Sequence, residues 1–271
     1  MSSFSASLIG SSGYADAGFA DLYDAYRPAP PAAVLDIVSL LAQAERPRLV
    51  VDLGCGTGLS TRPWAERADD VVGVEANPAM IERARGATRA ANVRYVEAFA
   101  SETGLHDDSA DVVTCAQSFH WMEPGVLLAE AARILRTGGV FAAYDYDVPP
   151  LVHPEVDDAF ASNIAARSAA RKRLDLEAGA ASWPKEGHLE RIRASGCFRS
   201  ARELVCHSWS ETDAERVEGL ARSLGGPLEL FGEDAPEVGE TFAQLGETAR
   251  RVLGERTWPM VVSYRIRAGI V

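Results

Sequence analysis

Residues 50–61, VVDLGCGTGLST, constrain the fold more than any other stretch of the chain. An apolar, β-branched run leads into Asp52; Gly54, Gly56 and Gly58 follow at alternate positions, and the pattern then turns helical. Glycine suits such a place because a tight turn needs positive φ and because a backbone that meets a ligand closely cannot carry a Cβ. A dinucleotide fingerprint spaces its glycines G-x-G-x-x-G. Here Leu59 follows Gly58, so the spacing is G-x-G-x-G. No lysine follows in the G-x-x-x-x-G-K-[ST] frame, which excludes a P-loop.

Around this loop, short Val-rich runs alternate with helical segments. Residues 48–54, 70–76, 92–98, 111–117 and 139–146 read as strands, most of them apolar throughout, as strands covered on both faces are. Between them, 60–68, 78–86 and 124–136 have helical character. Asn77 is a natural N-cap with Pro78 at the first helical position, and Gly138 is placed to stop the third helix in a left-handed conformation. Such alternation predicts an α/β fold with a parallel, doubly wound sheet. Beyond residue 150 the pattern changes to a long helix over 155–180, a shorter one over 186–195 and a strand over 198–209. Two helical stretches, broken by GGPLELFGEDAP, and a closing strand over 257–271 complete the chain. The expected divisions are an entry or cap segment at 1–46, a ligand-binding core at 47–150, a helical lid at 151–197, and strands and helices at 198–271 that complete the sheet.

The formal net charge is −12, whereas nucleic-acid binders ordinarily present a basic face. The basic run within 166–177 falls at helical spacing and reads as a solvated face. A small-molecule partner is therefore expected, with no nucleic acid and no membrane, in a monomer or homodimer. Cys55, Cys115, Cys197 and Cys206 form no C-x-x-C pair, and the start of the chain has no basic, apolar leader pattern; both suit the cytoplasm. His106, His153, His188 and His207 show no metal-ligand spacing and are expected on the surface or in loops.

DLGCGTG after a strand resembles motif I of the class I S-adenosylmethionine-dependent methyltransferases. Glu75, ending the second strand in VVGVEANPAM, stands where that family has an acidic residue for the ribose hydroxyls. SADVVTCAQSFHW (109–121) and EAARILRTGGVF (130–141) follow in the family's order. FADLYDAYRPAPP (19–31) is similar to the entry segment of the small-molecule, trans-aconitate-type subgroup, in which the His-Trp pair at 120–121 also recurs. The resemblance implies a Rossmann-like methyltransferase fold: a mainly parallel, seven-stranded sheet with an antiparallel last strand, plus a helical lid. It implies S-adenosylmethionine as cofactor and S-adenosylhomocysteine as product. The implied cofactor contacts are Asp52, Gly54, Cys55, Gly56, Gly58, Glu75, Ala76, Ala100, Ser101, Gln117, Tyr26 and Arg27. Phe99 departs from the family, which often has an acidic residue there. Arg27 caps the cofactor, grips an anionic substrate, or is a surface arginine before a proline-rich turn.

Ligands of open α/β sheets lie beyond the carboxyl ends of the strands. Gln117–Trp121 therefore borders the methyl-transfer position. His120 has three readings: general base, orienter of an anionic or carbonyl substrate, or packed histidine behind the site. Trp121, Tyr23 and Trp183 are expected as pocket walls; Phe160 and Phe231 are weaker candidates for which core packing is favoured. The function implied is methyl transfer to a small metabolite, with oxygen slightly preferred over carbon or nitrogen. A cofactor-binding protein with a non-methylating activity, or a methyltransferase acting on protein or RNA, are the alternatives.

Overall fold

The computed structural model describes residues 17–176, 182–224, 228 and 231–271. The Ser-rich first dozen residues, the far end of the helix expected over 155–180, and Ala181 lie outside the described residues. The chain forms two compact units. One comprises Ala29–Tyr146, Ala181–Cys206 and Tyr264–Val271; the other comprises Met1–Pro28, Asp147–Ala180 and His207–Ser263.

In chain order the first unit begins with α2 (Ala32–Leu41), β1 (Leu49–Leu53) and β2 (Asp70–Glu75), the latter two joined through a single 3-10 turn at Arg62–Glu66. Next come α3 (Pro78–Ala87), β3 (Val93–Glu97), β4 (Ala110–Ala116), α4 (Pro124–Ile134) and β5 (Leu135–Tyr146). Asn77 caps α3, its side chain accepting from the N–H groups of Ala79 at 3.0 Å and Met80 at 3.4 Å. Glu123 does the same for α4, accepting from Gly125 and Val126. α6 (His188–Ala194), β6 (Ser200–Thr212) and β7 (Trp258–Ile270) follow later in the chain. The seven strands lie in the order β3-β2-β1-β4-β5-β7-β6, with β1 through β5 mutually parallel and β7 antiparallel to β5. This is the mainly parallel, doubly wound sheet that the alternation and the resemblance imply.

β-branched residues fill the strands because a sheet covered on both faces hides every side chain. Val50, Val51, Val71, Val72, Val112, Val113 and Val140 are all fully buried, each contributing about 1.5–3 kcal/mol of apolar burial. Strand order reverses between β1 and β4, and a crevice opens at such a switch point beyond the strand ends. The segment after α4 differs from expectation. The helix stops at Ile134, because Leu135 is already extended and pairs with Ala110. The register then shifts before Val140, and Gly138, with φ +79°, serves that irregularity within β5 rather than a helix terminus.

The second unit contains α1 (Ala17–Tyr26), α5 (Pro154–Arg173), α7 (Ala214–Ser223) and α8 (Pro236–Leu253). α5 and α7 pack on α8, burying Val156, Phe160, Val217, Leu220, Leu245 and Leu253 in one cluster. Phe231 is buried separately with Ala170, Ala235 and Val238. Phe160 and Phe231 are thus core residues. Among the described residues, no helix is long and apolar enough to cross a membrane.

Candidate active site

The ends of β1 and β2 are tied together through the glycine loop. Gly54 and Cys55 donate to the carbonyl of Val74, at 2.8 and 3.1 Å. Glu75 then divides its carboxylate between two turns: Oε2 accepts from Gly56 N–H at 3.0 Å and Oε1 from Asn77 N–H at 2.9 Å. Each oxygen keeps a further lone pair. Gly56 has φ +53°, and a Cβ built there would meet nothing within 4 Å, so the loop presents open backbone surface beside Glu75. Gly58 has φ +78°, and its Cβ would stand 2.3 Å from the Tyr95 hydroxyl oxygen; there the glycine serves packing. Cys55 is buried behind the loop, and burial pushes its thiol well up.

Asp52 lies beneath this loop, fully buried. Its Oδ2 accepts from the Ser60 and Thr61 hydroxyls, both at 2.7 Å, and its Oδ1 from Thr114 at 2.9 Å. Burial raises its carboxyl while the three hydroxyls pull it back. Asp52 thus joins the loop, the segment after it and β4. Ala76 follows Glu75 at the strand end. On the next strand, Ala98 N–H donates to the Glu75 carbonyl at 3.1 Å, Ala100 packs partly buried on the core, and Ser101 is exposed. Glu130 pins this turn by accepting from the Thr103 N–H and hydroxyl, and Arg133 holds its carboxyl down at about 2. Phe99 is 43% exposed, an apolar ring left in the open on this turn.

β4 ends beside β1, stitched by Ser118 Oγ donating to the Leu53 carbonyl at 2.8 Å. Gln117 takes φ +54°, an uncommon conformation for a residue with a side chain. Phe119–Trp121 forms a 3-10 turn: Phe119 is buried edge-on against Phe141, while the His120 and Trp121 rings lie 4.7 Å apart. The His120 carbonyl accepts from Trp183 N–H at 2.9 Å, bringing 182–188 to the strand end.

That segment delivers a group that no motif had marked. Lys185 Nζ donates to Gln117 Oε1 and lies 3.0 Å from Asp145 Oδ1, at the end of β5. Arg267, from β7, donates through Nη1 to Asp145 Oδ2 at 3.2 Å and through Nε to Glu203 at 2.7 Å. His120 Nδ1 stands 4.0 Å from Asp145 Oδ1, and His188 Nε2 stands 4.0 Å from Oδ2. His188 is fully buried, correcting its expected surface position: it starts α6 with its ring 4.5 Å from that of Phe119. Burial first, then Arg191, Arg267 and Lys185, hold its pKa down at about 3.

All of these groups belong to one unit. Tyr23, Tyr26 and Arg27 belong to the other. There the Tyr26 ring packs so closely on Gly219 that a Cβ would come within 2.2 Å. Arg27 grips the end of α7, donating to the Ser223 carbonyl and hydroxyl, with its guanidinium 4.7 Å over the Tyr23 ring.

Known proteins agree with this architecture. Residues 51–143 match the family model described as a methyltransferase domain. An uncharacterized methyltransferase of Mycobacterium tuberculosis is 39% identical over 117 residues, 43% of this chain and 46% of its own length. A protein of Saccharomyces cerevisiae, provisionally named an S-adenosylmethionine-dependent methyltransferase, is 28% identical over 48% of this chain and 46% of its own. The chain thus spans about half the length of these curated relatives. A structure from Anaeromyxobacter dehalogenans, solved as a candidate type II methyltransferase, superposes with a TM-score of 0.66 at 27% identity, covering 90% of this chain and 98% of that one. The fold is the Rossmann-like fold of class I methyltransferases. The matched residues take in the glycine loop, Glu75 and the His120 turn.

Proposed function

We propose that this protein is an S-adenosylmethionine-dependent methyltransferase acting on a small-molecule metabolite, with oxygen as the favoured acceptor atom. The observation that carries this is the Glu75–Gly56 pairing: an open, left-handed loop backbone and a carboxylate with spare lone pairs meet at the ends of adjacent parallel strands. Those residues fit the cofactor. The loop N–H groups suit its carboxylate, Glu75 its ribose diol, and Ala100 with Ser101 its adenine edge. The cofactor supplies a methyl group already activated on a sulfonium.

The protein's task is then alignment and exclusion of water. Gln117, His120 and Trp121 border the transfer position at the end of β4. A carboxylate acceptor has no proton to lose; a hydroxyl does, and on this reading His120 takes it. Trp121 and Trp183 supply apolar wall beside it. The net charge of −12 favours a small acceptor over RNA.

Isothermal titration calorimetry with S-adenosylmethionine and S-adenosylhomocysteine tests the proposal. Saturable one-site binding is expected, and no heat from either ligand would refute it. With an acceptor found through a +14 mass shift in extracts, His120→Ala is expected to bind cofactor normally and lose about 100-fold or more in rate.

A further inference from the structure

Asp145 is 4% exposed and shared by side chains from four parts of the chain: the turn after β4, the 185–187 turn, α6 and β7. A buried carboxylate stays ionised where cations and donors surround it. Lys185 lies 3.0 Å from one of its oxygens and Arg267 3.2 Å from the other, and Glu203 steadies Arg267 from behind at 2.7 Å. Neither cation accepts a hydrogen bond, so both fix Asp145 as an acceptor.

We propose that Asp145 is the positioning residue of His120, holding the Nδ1–H toward its own carboxylate and leaving Nε2 as the basic nitrogen, while Lys185 acts on the same imidazole in the opposite sense. This rests on His120 being the proton acceptor of the methyl-transfer site. Nδ1 stands 4.0 Å from Oδ1 here, and such contacts commonly tighten once a site is filled. An ionised carboxylate facing Nδ1 selects the tautomer protonated there and stabilises the imidazolium, raising the basicity of Nε2. Lys185 shares that same Oδ1 and is held in place by Gln117, so its charge opposes protonation of His120. The two groups together set the basicity of the histidine.

His188 presents a second imidazole to the same carboxylate without competing for the role. Its Nδ1 lies 3.0 Å from Arg191 Nη1, and a guanidinium only donates, so Nδ1 accepts and the proton resides on Nε2, facing Asp145 Oδ2. The ring is fully buried, whereas 16% of the His120 side chain is exposed. The charged and titratable groups that meet Asp145 beside His120 are Lys185, Arg267 and His188, with Glu203 and Arg191 behind them.

The five histidines of the chain allow a direct test by side-chain nitrogen NMR, titrated on the free protein and on the protein loaded with S-adenosylhomocysteine. His120 is expected as the Nδ1–H tautomer. Asp145→Asn should lower its midpoint by about one pH unit, and Lys185→Met should raise it by a comparable amount. Shifts of opposite sign are what a merely structural role would not produce. Shifts of the same sign, no shift in either variant, or a proton on Nε2 would overturn the proposal. If Asp145→Asn does not fold, Lys185→Met decides alone: an upward shift supports it, and an unchanged or lowered midpoint overturns it. The free-protein titration needs no cofactor. Absent calorimetric binding with opposite shifts would thus remove the methyltransferase proposal alone, and normal binding with a flat response would remove the Asp145 role alone.

Discussion

Glu75 Oε2 accepts a hydrogen bond from Gly56 N–H at 3.0 Å, so the acidic end of β2 holds the loop at the end of β1. The same carboxylate takes Asn77 N–H, which heads the capped helix α3. Removing it loosens two turns and, under the proposed function, takes away the diol acceptor together. Glu75→Ala should weaken S-adenosylhomocysteine binding by about 10–200-fold, the ~1.5–3 kcal/mol of a charged hydrogen bond. Calorimetry measures this, and an affinity within threefold of the parent would count against the placement.

Gly58 makes a sharper structural test. Its φ is +78° and Tyr95 Oη occupies the space a Cβ would need. Gly58→Ala should lower stability by about 1–3 kcal/mol through backbone strain, read as a fall in the urea midpoint. Gly56→Ala has the strain without the clash and should cost less; equal losses would show that Tyr95 gives way freely.

Asp52 is predicted to act chiefly as a brace. Asp52→Ala leaves Ser60, Thr61 and Thr114 without their shared acceptor and should cost on the order of 2–4 kcal/mol. Denaturant unfolding checks this. Thr114→Val, which removes one of the three donors, should cost a fraction of it.

His188 gives a pH signature. Folded, it stays neutral down to about 3; unfolded, it takes a proton from about 6.5 downward. The unfolded state therefore binds more protons across that interval. The stability contributed is complete above pH 6.5 and drains away as pH falls toward 3. For His188→Gln that part of the slope should vanish. The gap in melting temperature between the two proteins should be widest near pH 7 and narrow by pH 4; a gap that widens on acidification would contradict the assignment.

Much of this was legible in the chain because its signals are local. Val-rich runs, the Asn77–Pro78 start and three alternating glycines each state their own conformation within a few residues. The end of the second strand at Glu75 was legible too. Gly138 misled because a glycine after a helical run fits both a helix stop and a strand irregularity; pairing of Leu135 with Ala110 decided between them. The Asp145 cluster could not be read, since positions 120, 145, 185, 188 and 267 share no spacing and meet only through the sheet order. His188 was misplaced for the same reason: its burial comes from the ring of Phe119, 69 positions earlier in the sequence.

β7 enters the sheet between β5 and β6, and it brings Arg267 to Asp145. During synthesis, the glycine loop, Glu75 and His120 all leave the ribosome before this strand does. A chain that has not yet reached residue 267 has Lys185 to set against Asp145 but not the guanidinium that meets its other oxygen at 3.2 Å. Chains cut ahead of residue 258 would keep the glycine loop and Lys185 yet deprive Asp145 of the Arg267 guanidinium.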